Sequence, residues 1–120
     1  MTTLTLILTA LIGIEHLGFM LIEMFAGPKT QARTFAMPYE FVSQPQARIA
    51  LENQGLYNGA LGLLIILSMV IFSGSTLLSL VRLYMLFVMI VGAYGGFTVT
   101  KKIYFVQLLP ATLVLILSFF

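Results

Sequence analysis

Residues Thr3 to Ala26 read TLTLILTALIGIEHLGFMLIEMFA, an apolar run interrupted only by Glu15, His16 and Glu23. A hydrocarbon core is crossed by about 20 apolar residues in a helix, so this stretch is long enough to span a bilayer. No basic residue precedes it and polar groups replace a small-residue cleavage site, so it is expected to stay in the chain rather than leave as a signal peptide. Gly27-Pro28 breaks it. Three further apolar runs follow at about 49–72, 77–99 and 103–120, divided by the SGST turn at Ser73 to Thr76 and by Lys101-Lys102. The pattern predicts an all-α membrane protein, a single integral membrane domain over 1–120 forming a four-transmembrane-helix bundle. One longer loop joins the first two spans. Its middle, TFAMPYEFV, sets Phe35, Met37, Tyr39 and Phe41 beside polar neighbours, as expected of a segment lying in the interface or covering the bundle.

Composition agrees. Of 120 residues 60% are apolar and 8% charged, with a mean hydropathy of +1.07. Four spans take about 80 positions and leave about 40 for loops and ends, so no separate soluble domain fits. The absence of cysteine excludes a disulfide framework, a thiolate metal site and a cysteine nucleophile. A net charge of +2 on six scattered basic residues is no nucleic-acid surface.

Basic residues set orientation, because Lys and Arg in short loops are retained on the cytoplasmic side. Lys29, Arg33, Arg48, Lys101 and Lys102 lie in the first and third connections, against Arg82 alone beside the second. Both termini are therefore expected outside, with the long loop and the Lys101-Lys102 turn in the cytoplasm.

Three of the four glutamates and the single histidine fall within the expected spans, where an ionisable group costs about 2.5–3.5 kcal/mol at the helix centre. Such groups need partners or a purpose. His16 and Glu23 are seven residues apart, about 20° apart around a helix and about 10 Å along it, so they share a stripe. Glu15 points about 100° away from His16, toward another helix, a second protomer or another part of the same cavity. On the second span Asn53 with Tyr57, and Gln54 with Asn58, are spaced four apart and form a broad polar face. Glu52 lies on the opposite flank within the first turn, where the helix dipole also favours a carboxylate. Gly55, Gly59 and Gly62, and Gly92 with Gly96, make small-residue ridges that permit close helix approach.

With the inferred orientation, Glu23, Glu52, Asn53, Tyr57, Asn58, Tyr94, Thr98, Tyr104 and Gln107 fall in the cytoplasmic half, and Glu15 and His16 near the midplane. The outer half is almost wholly apolar apart from Arg82, which either snorkels outward, the favoured reading, or pairs with Glu15. The polar set resembles a cup open to the cytosol or inner leaflet rather than a path through the membrane. Its candidate catalytic residues are His16 and Glu23, suited to acid and base work. Its candidate ligand-binding residues are Glu52, Asn53, Gln54, Tyr57, Asn58, Tyr94, Thr98 and Gln107. No H-x-x-x-H or E-x-x-H pair is present, so neither a metal nor another cofactor is expected.

The segments EHLGFMLIEMFAGP, YEF, LENQGLYNG, VGAYGGFTVTKK and FVQLLPA together resemble the small bacterial membrane proteins of domain-of-unknown-function family thirteen-oh-four, over nearly the whole chain. The resemblance falls on His16, Glu23, Met24, Phe25, Glu40 and Phe41, then on Asn53, Gln54, Gly55, Tyr57, Asn58 and Gly59. It continues through Tyr94, Gly95, Thr98, Lys101, Lys102, Gln107 and Pro110, and leaves out Glu15 and Arg82. It implies a multi-pass protein of a bacterial cytoplasmic membrane and assigns no reaction.

Three functions fit. One is an enzyme or binding protein for a lipophilic small molecule entering from the inner leaflet, with His16 or Glu23 as acid or base. A second is a proton-coupled exporter built on Glu15, similar in length and span count to the small multidrug resistance transporters but without their tryptophan. The third is a structural or regulatory membrane protein whose polar residues only lock helices together, at about 0.6 kcal/mol per hydrogen bond. A homodimer suits all three.

Overall fold

The computed structural model describes every residue from Met1 to Phe120. Thr2 starts the first helix, its side-chain oxygen accepting from the Thr5 N–H, and α1 runs Thr3–Phe25. Pro28 then occupies the first position of α2 (Pro28–Phe35), where its missing N–H is no loss. The Gly27-Pro28 pair that ends one helix therefore begins the next. Ala36 closes α2 in the left-handed conformation, with φ 55°, and α3 (Tyr39–Val42) follows.

Pro45 likewise heads α4 (Pro45–Ile71), and a turn at Phe72-Ser73 leads into α5 (Gly74–Thr98). A π-helical turn over Tyr104–Leu108 continues into α6 (Leu109–Leu117). The π register falls just before Pro110, whose ring would clash with the carbonyl four residues back in a regular helix.

Two expectations are corrected here. The connection between the first two spans is largely helical rather than a loop, because Pro28 and Pro45 serve as helix starts as well as breaks. For the same reason α4 begins four residues before the expected 49, and Glu52 lies two turns into it rather than in its first turn.

The chain has no strands, and α1, α4 and α5, with 23, 27 and 25 residues, are long and apolar enough to cross a membrane. This is the build of an all-α membrane protein. The last apolar segment, Tyr104–Leu117, is shorter than the expected 103–120. At 1.5 Å per residue it covers about 21 Å, against about 30 Å of hydrocarbon.

Glycines set the packing. Antiparallel α1 and α4 close on one another where Gly62 meets the Gly13 carbonyl and Leu17, Gly59 meets Met20, and Gly55 meets Glu23 and Met24. The C-terminal hairpin closes in the same way, Gly92 against Gln107 and Leu108 and Gly96 against the Tyr104 ring. Consecutive α4 and α5, by contrast, make few close contacts, and Ser68 and Tyr84 bridge them through a 2.9 Å hydrogen bond. Toward the chain termini the four long segments pack as an apolar core of Ile12, Ile65, Leu77, Val81, Met85, Val88, Ala111 and Val114. At the opposite end, under α2, the α1–α4 pair stands apart from α5 and the π turn.

Candidate functional site

That separation leaves a cavity of about 540 Å³ between α1, α4, α5 and the π turn, with Phe35 and Met37 from the α2 region over it. Roughly half its wall is apolar, Phe19, Leu61, Phe87, Val88 and Val91 among it. Of the polar residues anticipated from sequence, His16, Glu23, Gln54, Asn58, Tyr94, Thr98 and Gln107 all border this space.

His16 is 3% exposed, and its Nδ1 lies 2.8 Å from the Ile12 carbonyl, one turn back on α1. A carbonyl only accepts, so Nδ1 carries the proton and Nε2 of the neutral ring keeps a lone pair. No buried side-chain polar atom is left without a partner, so Nε2, which has none, is in reach of the cavity rather than sealed in protein. Phe19 stands edge-on to the imidazole at 5.7 Å between ring centroids and holds its plane.

Glu23 is 6% exposed, and its Oε2 accepts a 2.7 Å hydrogen bond from the Asn58 amide of α4. By the same reasoning Oε1 is open to the cavity. The pair forms where Gly55 lets α4 approach the Glu23 backbone, so the glycine ridge brings the carboxylate to its amide.

The polar face expected on α4 divides. Gln54 and Asn58 lie next to the glycine ridge and turn toward the cavity, while Asn53 and Tyr57, about 100° further round, face outward. Tyr57 is 70% exposed, and Glu52 also lies on the outer surface. Glu52, Asn53 and Tyr57 are thus not part of the cavity wall. Glu15 borders a separate shallow cleft with Leu8, Leu11, Ile12 and Pro110. Arg82 reaches the chain end and is not paired with Glu15: its Nε and Nη2 donate to the Ser118 hydroxyl and carbonyl at 3.1 and 2.7 Å, and its guanidinium lies 4.1 Å from the Phe119 ring centre. No three His, Cys, Asp or Glu side chains converge as a ligand set for a metal ion.

Sequence reasoning missed Gln31. It is 1% exposed, and its Nε2 donates to the carbonyls of Ile22 and Glu23 at 3.2 and 3.0 Å, capping the end of α1, while Arg48 donates to its Oε1 at 3.4 Å. Lys102, which the sequence marks as a topology signal and as part of the family resemblance, also borders the cavity. Flanked by Lys29 and Arg33, Gln31 looks like one more polar loop residue, and only the turn between α1 and α2 makes it a cap.

Three membrane-length apolar helices packed through glycine seams define a small helical membrane protein. The family described as "Protein of unknown function (DUF1304)" matches residues 10–119, and the chain belongs to that family. It is 40% identical over 121 residues to the "Uncharacterized protein YpaA" of Lactococcus lactis, covering 100% of both chains. No solved structure matches it.

Proposed function

We propose that this is a four-span, single-domain protein of the bacterial cytoplasmic membrane whose cavity opens to the cytosolic side and binds or converts a lipophilic small molecule by acid and base chemistry. The observation that carries the reading is the pairing of a cavity wall about half apolar with two buried groups, His16 Nε2 and Glu23 Oε1, that reach its interior. Apolar pockets with a few convergent polar groups are where small ligands bind, and about 540 Å³ lies within the usual 300–1,000 Å³ of such sites.

In this reading His16 takes or returns a proton and Asn58 orients Glu23. Gln54, Tyr94, Thr98 and Gln107 fix the ligand's remaining polar groups, and Phe35 and Met37 limit access by water. Lys29, Arg33, Arg48, Lys101 and Lys102 hold this end of the bundle on the cytoplasmic side, both termini lie outside, and the outward apolar faces serve the bilayer or a second copy of the chain.

The test is to extract and weigh the lipophilic molecules that stay with the full chain when it is purified from its own membranes. A discrete small molecule is expected with the native protein and should be lost from Leu61→Trp, which fills the cavity from α4. Equal lipid content in the two proteins counts against the reading.

A further inference from the structure

His16 and Glu23 each offer the cavity one polar atom that no protein group satisfies. The imidazole has committed its N–H to the Ile12 carbonyl, and the Glu23 carboxylate takes the Asn58 amide on one oxygen only. Nε2 is thus a free acceptor at one station, and at the other Oε1 accepts when the carboxyl is ionised and donates when it is protonated. Seven residues of α1 separate them, roughly 10 Å along the axis and on one face of the helix. Phe19 lies between them on α1, and Leu61 of α4 and Val91 of α5 add apolar wall to the same cavity.

A ligand that satisfies both stations must bring a donor to His16 and, to Glu23, a group that pairs with either form of the carboxyl. A ketone, ester or carboxylate at the His16 end would set acceptor against acceptor and leave a buried polar group unpaired, at about 1–3 kcal/mol. An ammonium there would place a charge against a neutral ring. The hydroxyl group, donor and acceptor at once, is the neutral group that meets both requirements.

Resting on the reading of the cavity as a lipophile site, we infer that its ligand is an elongated apolar molecule with a hydroxyl group at each end, one donating to Nε2 of His16 and the other hydrogen-bonded to Oε1 of Glu23. The apolar middle lies along Phe19, Leu61 and Val91, and the deep hydroxyl sits near the bilayer midplane.

Androstane supplies a rigid probe of suitable length, available with a hydroxyl at both ends, at either end or at neither. Native mass spectrometry of the full chain released from detergent reads the bound fraction of each directly. The diol is expected to bind at least tenfold more tightly than either mono-alcohol, and each mono-alcohol more tightly than the hydrocarbon. His16→Phe keeps a flat ring and removes the acceptor. In it the diol should fall to the level of the mono-alcohol that pairs with Glu23, while androstane binds as before and shows the cavity intact. Equal binding of all four skeletons, or of androstane but not the diol, overturns the two-hydroxyl assignment and leaves the lipophile site standing. Binding of none of them, androstane included, removes the lipophile site itself.

Discussion

Gly62 is where α4 meets the backbone of α1. A β-carbon there would stand 2.6 Å from the Gly13 carbonyl oxygen, a backbone atom that cannot swing aside. Gly62→Ala should therefore lower stability by about 1–3 kcal/mol, the usual cost of overfilling a packed interior. Gly18, on α1 with nothing within 4 Å of the same position, is the control: Gly18→Ala should be neutral or stabilising by up to about 1 kcal/mol, since alanine is the better helix former. Thermal unfolding of both variants in one detergent decides it. The spacing of Gly55, Gly59 and Gly62 was legible in the sequence as a packing ridge. What it packs against was not, because pairing between residues as distant as Glu23 and Asn58 depends on how two helices register, and helical periodicity carries no information about the partner helix. Periodicity also put Asn53 and Tyr57 on a polar face without saying which edge of that face would turn inward.

At the level of the elements, the helical content of the apolar runs was plain and the fate of the connection was not. Gly-Pro reads as a break, and it is; proline is equally at home at a helix's first position, so that break doubles as a start, and Pro45 heads α4 in the same way. The helix so begun, α2, is docked chiefly through Gln31. Gln31→Leu should leave the Ile22 and Glu23 carbonyls without their cap and release α2 from the cavity. The expected result is faster backbone hydrogen exchange across Pro28–Phe35 with little change in α5 and α6. Unchanged protection of α2 would mean that Phe35 and Met37 hold it unaided. The shortness of the last helix was hidden by its composition, since an apolar run to the final residue does not reveal where Leu117 ends the helix and Ser118 receives Arg82.

For the molecule as a whole, the outward faces are those of a protein made for hydrocarbon, with Phe97 83% and Phe105 72% exposed. The bias of basic residues toward one end predicts that a reporter fused after Phe120 is active only if it functions outside the cytoplasm. A cytoplasmic signal would invert the bundle and move the cavity mouth to the other face. This prediction depends on the segment from Tyr104 crossing the membrane despite its length. The gathering of polar residues toward one end was legible in the sequence, but not which of them turn inward: Gln54 and Asn58 border the cavity while Glu52, Asn53 and Tyr57 face outward. The cavity's volume and shape were not legible, as they arise where the two helix pairs part.

That divergence has a further consequence. The glycine seam of α4 is with α1 and that of α5 is with the π turn leading into α6, not across the Phe72-Ser73 turn, so the chain consists of two halves joined at a glycine of φ +59°. Cutting the backbone between Ser73 and Gly74 severs neither seam. The two fragments, made separately in the same cell, should find one another and co-purify as a complex. By the same construction, two intact copies could trade their C-terminal halves, giving an intertwined pair in which every internal contact of the single chain is kept.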